Sequence, residues 1–329
     1  MNLDKVNKLL IVRLSSLGDI LLTTPFFRTI KNNYPAVKID FVVRDEYKDL
    51  LKLNPHLRKV YIFHRENDKN QKLKKQLCDN GYDLVLDLQN NFRSRKLINC
   101  FGDLIVKYKK DHLNKFILVH FKINRLNGAP QIPDRYASVL GNFVLDDKGT
   151  ELYTDNPPNP KLVNKSKLIG ICPGSKHFTK MWPEEYYIKL GNTLEKNGFR
   201  VILFGGRDDR EICSRISSEL SLAINLSNDN DILQTAADMK MCQAIYCNDS
   251  GLMHTATSVG VPVIAFFGST VKEFGFTPYK SKNLILENNY LTCRPCTHIG
   301  RGSCPKKHFK CMKDIYPQFA FEQLKLILS

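Results

Sequence analysis

The chain has one tryptophan and no run of about 18 consecutive apolar residues, so no membrane-spanning helix is expected. It has no aromatic-basic repeat of the kind that stacks single-stranded nucleic acid, and no RNA- or DNA-binding motif. Gly18 stands alone after the first apolar run, so the dinucleotide fingerprint is missing, and so is the Walker signature. A nicotinamide oxidoreductase therefore lacks its usual support. The N-terminal stretch MNLDKVNKLLIVRLSSLGD leads straight into a short strand-like run. It lacks the longer apolar core and small-residue cleavage site of a secretory signal. Acidic residues are in short supply: 33 Asp and Glu against 49 Lys and Arg leave a net charge of +16.

That charge favours an anionic partner, whether nucleic acid, an acidic membrane surface or a phosphorylated substrate. A merely Lys-rich solvated surface would give the same number. At 329 residues, with 43% hydrophobic and 25% charged residues, the chain suits two ordinary globular domains. Ten cysteines do not form a secreted disulfide framework. Six of them (Cys78, Cys100, Cys172, Cys213, Cys242 and Cys247) are scattered singly in apolar or helical contexts. Reduced thiols in the cytosol are the expectation.

Apolar runs alternate with helical patterns along the whole chain. Strands are expected near 8–13, 38–43, 59–63 and 83–88, with helices at 19–33 and 70–80. The polar, proline-rich stretch Asp155-Asn156-Pro157-Pro158-Asn159-Pro160 interrupts the pattern and reads as an extended linker. The pattern then restarts, with strands at 167–172, 200–204, 244–247 and 263–267, helices at 183–197 and 208–220, and a last helix at 314–328. This is an α/β chain of two Rossmann-like domains, residues 1–160 and 161–329, expected to face each other across a cleft. Ligands of such sheets sit at the carboxyl ends of the strands, so the loops 14–18 and 173–181 should line that cleft.

Four clusters carry chemistry. In Arg13-Leu14-Ser15-Ser16-Leu17-Gly18-Asp19, Asp19 opens a helix. A carboxylate there can take a proton from an attacking hydroxyl, and it serves equally as a helix cap. In Cys172-Pro173-Gly174-Ser175-Lys176-His177-Phe178-Thr179-Lys180-Met181-Trp182-Pro183, Ser175 offers a hydroxyl and Lys180 a compact charge suited to a diphosphate. An ordinary basic loop anchored by Trp182 is the competing reading. Gly205-Gly206-Arg207-Asp208-Asp209 lies between a strand and a helix, where Asp208 can contact a ribose or base edge or merely cap the helix. In Asn248-Asp249-Ser250-Gly251-Leu252-Met253-His254, a strand turns into a helix. The unpaired N–H groups at such a corner, together with the helix dipole, seat a phosphate. Asp249 and His254 beside it suit ribose or sugar hydroxyls. As alternatives, Asp249 or Ser250 is an N-cap and His254 a surface residue.

Cys293, Cys296, Cys304 and Cys311, with His308, offer thiol and imidazole groups, but their C-x2-C and C-x6-C spacings are not those of a standard zinc finger. A structural metal, packing thiols and a labile disulfide all stay open there. Arg93, Arg95 and Arg135 are candidates for gripping an anionic acceptor, or else belong to a solvated basic face.

Taken in order, RLSSLGDILLTTP, CPGSKHFTKMWPEEYY, LFGGRDDRE, CNDSGLMHTATSVGVPVIAFFGST and CRPCTHIGRGSCPKKHFKCM resemble glycosyltransferase family 9, the ADP-heptose:lipopolysaccharide heptosyltransferases. The resemblance spans nearly the whole chain. It implies a GT-B architecture, an N-terminal acceptor domain and a C-terminal nucleotide-sugar domain. It also implies transfer of heptose from ADP-heptose to an anionic lipopolysaccharide core acceptor, with inversion and without a metal or other cofactor. Asp19 matches the family's catalytic aspartate, and Ser175 and Lys180 match its diphosphate-binding positions. Asp208 falls at an acidic nucleoside contact. Asp249, Ser250, Gly251, Leu252 and His254 match the D-[ST]-G-x-x-H donor motif. Lys176 departs from the hydroxyl residue found in some members. The implied setting is the cytoplasm, with peripheral attachment to the inner face of the cytoplasmic membrane. A related transferase using another nucleotide sugar for a surface glycan is the nearest alternative. A basic nucleic-acid-binding α/β protein is the alternative from another class.

Overall fold

The computed structural model describes Leu3–Ser329. The chain forms two compact units. One is the chain up to Lys110 with Ile132–Tyr153, and the other is Asp111–Gln131 with Thr154–Ser329.

The first unit holds β1 (Lys8–Val12), α1 (Leu17–Leu21), α2 (Thr24–Asn33), β2 (Lys38–Arg44), β3 (Lys59–Phe63), α3 (Asn67–Cys78), β4 (Leu84–Asp87), α4 (Phe92–Ile98) and β5 (Ile105–Lys107). Next in the chain come α5 (His112–Phe121), which belongs to the second unit, and α6 (Ile132–Ala137), which returns to the first. All strand pairs of the first sheet are parallel, in the order β3-β2-β1-β4-β5. The expected helix 19–33 is two helices. Pro25 has no N–H to give the carbonyl of Leu21, and the Thr24 hydroxyl takes that carbonyl instead at 2.7 Å.

The second unit continues with β6 (Leu168–Cys172), α7 (Glu184–Lys196), β7 (Arg200–Leu203), α8 (Arg210–Ser218), β8 (Ile224–Asn225), α9 (Ile232–Met239), β9 (Ala244–Asn248) and α10 (Gly251–Ser258). It closes with β10 (Val263–Phe267), β11 (Asn283–Glu287), α11 (Lys310–Lys313) and α12 (Pro317–Leu328). Its sheet is also all parallel, ordered β11-β10-β9-β6-β7-β8. Successive strand residues feed opposite cores, as a two-residue period requires. Ile169, Ile171, Tyr246 and Phe266 pack with α7 and α12, while Leu168, Cys172, Cys247 and Phe267 pack with Met253 and Ala256 of α10.

In both sheets the strand order reverses beside the first strand, between β1 and β4 and between β6 and β9. These are the switch points where doubly wound sheets bind ligands. Each is stitched by a side-chain amide, with opposite polarity. The Gln89 side chain beyond β4 accepts from Leu14 and Ser15 N–H at 2.9 and 3.1 Å. Asn248 at the end of β9 donates to the Pro173 and Gly174 carbonyls at 2.8 and 3.3 Å.

One expectation meets a correction, and the fold adds features that the sequence did not announce. The thiols are not all reduced, because Cys78 at the end of α3 is disulfide-bonded to Cys100 in the turn after α4. Packing of α3 on α4 brings them together, which their separation of 22 residues did not announce. The three edge strands β5, β8 and β11 were also not anticipated, the first two being too short to carry a period. The excursion of Asp111–Gln131 into the second unit has no counterpart in a single division near residue 160. It is held there by Leu118 and Leu126, which pack with Phe274.

Candidate active site

In the first unit the chemistry gathers at the carboxyl end of β1. Asp19 lies in the first turn of α1 with its side chain 17% exposed. One carboxylate oxygen accepts from the Ser16 N–H at 3.1 Å and the Ser16 hydroxyl at 2.7 Å. The other is ion-paired with Arg13 at 2.7 Å and accepts from the Tyr136 hydroxyl at 3.3 Å. The Arg13 guanidinium also donates to the Leu88 carbonyl at 2.7 Å and lies 5.5 Å from the centre of the Tyr136 ring. Burial pushes the Asp19 carboxyl up, but the Arg13 charge and the hydrogen bonds from Ser16 and Arg13 outweigh it, so Asp19 lies below its usual range. Burial raises the Tyr136 phenol well above its ordinary value, which keeps it protonated as a donor. Asp19 thus closes a capping box with Ser16 at the start of α1 and presents a held, ionised carboxylate.

In the second unit, Lys180 pairs with Asp249 at 2.6 Å, and the Thr270 hydroxyl donates to the same Asp249 oxygen at 2.7 Å. Asp249 is thus not the cap of α10. Ser250 occupies the N-cap position, but its side chain makes no capping bond, and its buried hydroxyl has no hydrogen-bond partner among the described residues. The Ser269 hydroxyl, just before Thr270, is buried and unpartnered too. Gly251 and Leu252 open α10, leaving the first-turn N–H groups without intrahelical acceptors. His254 is buried one turn further on rather than lying at the surface. Ser175 is half-buried in the loop after β6.

That loop is held by residues the sequence did not single out. Asn248 also accepts from the Trp182 N–H and the Tyr187 hydroxyl, both at 3.0 Å. Trp182 is the anchor expected of it. It stacks on Phe266 with centroids 4.2 Å apart and donates its indole N–H to the Ile315 carbonyl at 2.9 Å. Asp208 is exposed, and its neighbour Asp209 takes the inner position. Asp209 accepts from the Gly206 N–H at 3.0 Å, and a methyl group added at Gly174 would lie 1.9 Å from its carboxylate. Only the absence of a side chain at Gly174 admits it. Burial raises the Asp209 carboxyl.

The acceptor candidates differ among themselves. Arg93 is exposed, Arg95 is exposed and donates to the Asn90 side chain at 3.0 and 2.8 Å, and Arg135 is buried in α6. Cys293, Cys296, Cys304 and Cys311 are free thiols. Among the described residues, no three His, Cys, Asp or Glu side chains converge as metal ligands. Arg13, Gln89 and Asn248 were missed as participants because their roles rest on partners 6 to 75 positions away in the chain. Asp209, one position after Asp208 and of the same chemistry, was not singled out, and the structure holds its carboxylate against Gly206 and Gly174.

A family model described as "Glycosyltransferase family 9 (heptosyltransferase)" matches residues 70–303. Lipopolysaccharide heptosyltransferase 2 of Salmonella typhimurium is 26% identical over 357 aligned residues, covering 98% of this chain and 99% of the relative. Among solved structures, a glycosyl transferase family 9 protein from Veillonella parvula superposes with a TM-score of 0.80 at 20% identity, covering 100% of this chain and 98% of that one. The E. coli heptosyltransferase WaaC, solved with ADP-2-deoxy-2-fluoro heptose, gives 0.68 at 16% identity, covering 97% and 99%. The two parallel-sheet units are thus those of the GT-B fold.

Proposed function

The chain belongs to glycosyltransferase family 9, and on that premise we propose that it moves heptose from ADP-heptose to an anionic lipopolysaccharide inner-core acceptor, with inversion and without a metal ion. The observation that carries the donor half is the cluster at the mouth of α10. There Lys180 is oriented by Asp249, two buried hydroxyls lack partners among the described residues, and the first-turn N–H groups are free of intrahelical acceptors. This set suits diphosphate oxygens, because charge and donors are already in place. His254 and Ser175 supply further polar groups on the same elements, for sugar and phosphate respectively.

In the proposed reaction the acceptor hydroxyl oxygen attacks the anomeric carbon from the face opposite the diphosphate. The carbon–oxygen bond to the diphosphate breaks, and ADP departs with the electron pair. The hydroxyl proton passes to Asp19. Lys180 and the α10 N–H groups offset the charge gathering on ADP. Arg93, Arg95 and Arg135 belong to the unit carrying Asp19 and are the groups proposed for acidic substituents of the acceptor. Such an acceptor is lipid-anchored, so the protein works at the inner face of the cytoplasmic membrane as a peripheral enzyme. No helix among the described residues is long and apolar enough to cross a membrane.

The test is incubation of the purified protein with ADP-heptose and core acceptors, with and without chelator, read by product mass and anomeric configuration. Heptose addition with inverted configuration, unaffected by chelator, is expected. Transfer only from another nucleotide sugar, or retention of configuration, overturns the reading.

A further inference from the structure

Helix α5 is apolar on two sides. Inward, Leu118 is buried with Leu126 and Phe274, and Val119 packs on the same cluster. Outward, Leu113, Phe116, Phe121 and Ile123 are 51–67% exposed. Phe116 lies 6.2 Å from Phe121 and 4.3 Å from the His120 ring, so these rings cluster on the exposed side of α5. A second element extends it. Lys122 donates to the Cys293 and Pro295 carbonyls at 3.2 and 2.5 Å, and His298 lies in the field of His112 and Lys115. This docks the 293–301 loop beside α5, and the loop carries Ile299 with 55% exposure.

The two segments are also strongly basic. Residues 111–131 contain Lys115, Lys122 and Arg125, and residues 293–313 contain the exposed Arg301, Lys306, Lys307, Lys310 and Lys313, while Arg294 is buried and ion-paired with Glu287 at 2.9 Å. Asp111 is their one acid, and its carboxylate caps α5 by accepting from the Asn114 N–H at 3.3 Å. Nearby Glu273 accepts from Asn124 at 3.3 Å. A helix face with exposed aromatics would normally be covered. Exposed lysine and arginine on the same two segments as exposed bulky apolar side chains suit a face that lies in the boundary layer of an anionic bilayer.

We propose that the outward face of α5, with the Ile299 loop, is the surface by which this protein sits on an anionic lipid bilayer. Leu113, Phe116, Phe121, Ile123 and Ile299 enter the headgroup boundary, while exposed lysine and arginine side chains of the two segments pair with lipid phosphates. The inference rests on the reading of a membrane-anchored acceptor, and it adds where the protein touches the membrane and which lipids hold it. None of the five apolar residues belongs to the machinery assigned to transfer.

The test uses the full chain and vesicles of phosphatidylglycerol with phosphatidylethanolamine, or of phosphatidylcholine alone. Co-sedimentation with the anionic vesicles is expected to fall at least tenfold in a Phe116→Ser, Phe121→Ser variant, and to be weak on phosphatidylcholine. In a Phe121→Trp variant, anionic vesicles should shift the added fluorescence to the blue; the native Trp182 is buried. Equal vesicle binding by the wild type and the double-serine variant, or an unshifted Trp spectrum, overturns the proposal. So does loss of a dimer in that variant with vesicle binding intact, which would assign the face to a second copy. Transfer to a lipid-free core oligosaccharide should be unchanged by these substitutions. If the wild type binds vesicles through this face but transfers no heptose, the functional reading fails and the surface stands. If it transfers heptose but binds vesicles no better than the double-serine variant, the surface fails and the functional reading stands.

Discussion

Arg13 and Asp19 are joined by a 2.7 Å ion pair at the carboxyl end of β1, and the pair makes Asp19 a weaker base than its burial alone would. With Tyr136 and Ser16 also bonded to it, the carboxylate is fixed in direction and stays ionised. Orientation is what a general base needs first, and basicity comes second.

Replacing Asp19 by Asn keeps the shape and removes the proton acceptor. Transfer should fall by roughly 10²–10⁴-fold, the range for loss of a positioned base. ADP binding, measured by calorimetry, should survive, and its loss would show that Asp19 does not act as the base.

The Arg13 charge holds the Asp19 carboxyl down against burial. Activity that requires ionised Asp19 disappears as pH falls through its pKa. In Arg13→Gln the burial remains and the opposing charge is gone, so the acid limb of kcat/KM should move to higher pH. An unmoved limb would show that the limb belongs to another group. The sign for stability is the same. A depressed carboxyl stabilises the fold above its unfolded pKa and loses that contribution as pH falls through the folded value. Wild-type stability should therefore fall off on the acid side, and the variant should lose part of that dependence.

Lys180→Ala removes the charge that Asp249 orients and leaves that carboxylate with Thr270 as its partner. ADP and donor affinity should weaken, with transfer slowed as well. Unchanged binding and kinetics would take Lys180 out of the donor site.

Gly174→Ala would set a methyl group 1.9 Å from the Asp209 carboxylate, so the loop after β6 must shift. A lowered Tm and weaker ADP binding are expected. Adding Asp209→Ala should recover part of both. No recovery would mean that the strain is not between these two residues.

Arg28 is buried in α2 and bridges Asp146, Glu151 and the Gly149 carbonyl in the returning strap of the first unit. Arg28→Ala leaves two acids partly buried without their cation, for which about 3–5 kcal/mol of destabilisation is the usual scale. Denaturant unfolding reads this directly, and a loss below about 1 kcal/mol would place the strap's stability elsewhere.

Much of the architecture was legible from periodicity. The runs at 59–63 and 263–267 are strands at the bounds expected, and the polar corner at Asp249–Gly251 does turn β9 into α10. Such features depend on residues within a turn or two of each other. The short edge strands were not legible, since two or three residues carry no period. The break at Thr23 was available in principle, because Pro25 denies a bond to the Leu21 carbonyl, but the apolar pattern on both sides masked it.

The candidate residues divide along the same line. Their kinds and order along the chain were set by the sequence alone: an acid opening α1, a lysine after β6, and a glycine corner with a histidine after β9. Which of them touch was decided only by the tertiary structure. It paired Asp19 with Arg13 and Lys180 with Asp249, bonded Asp209 to the Gly206 N–H, joined Cys78 to Cys100, and carried α5 into the second unit with its aromatics outward. Hydrogen-bond periodicity and turn chemistry act between near neighbours in sequence. Charge pairing, burial and exposure depend on distances that exist only once the sheets have ordered their strands.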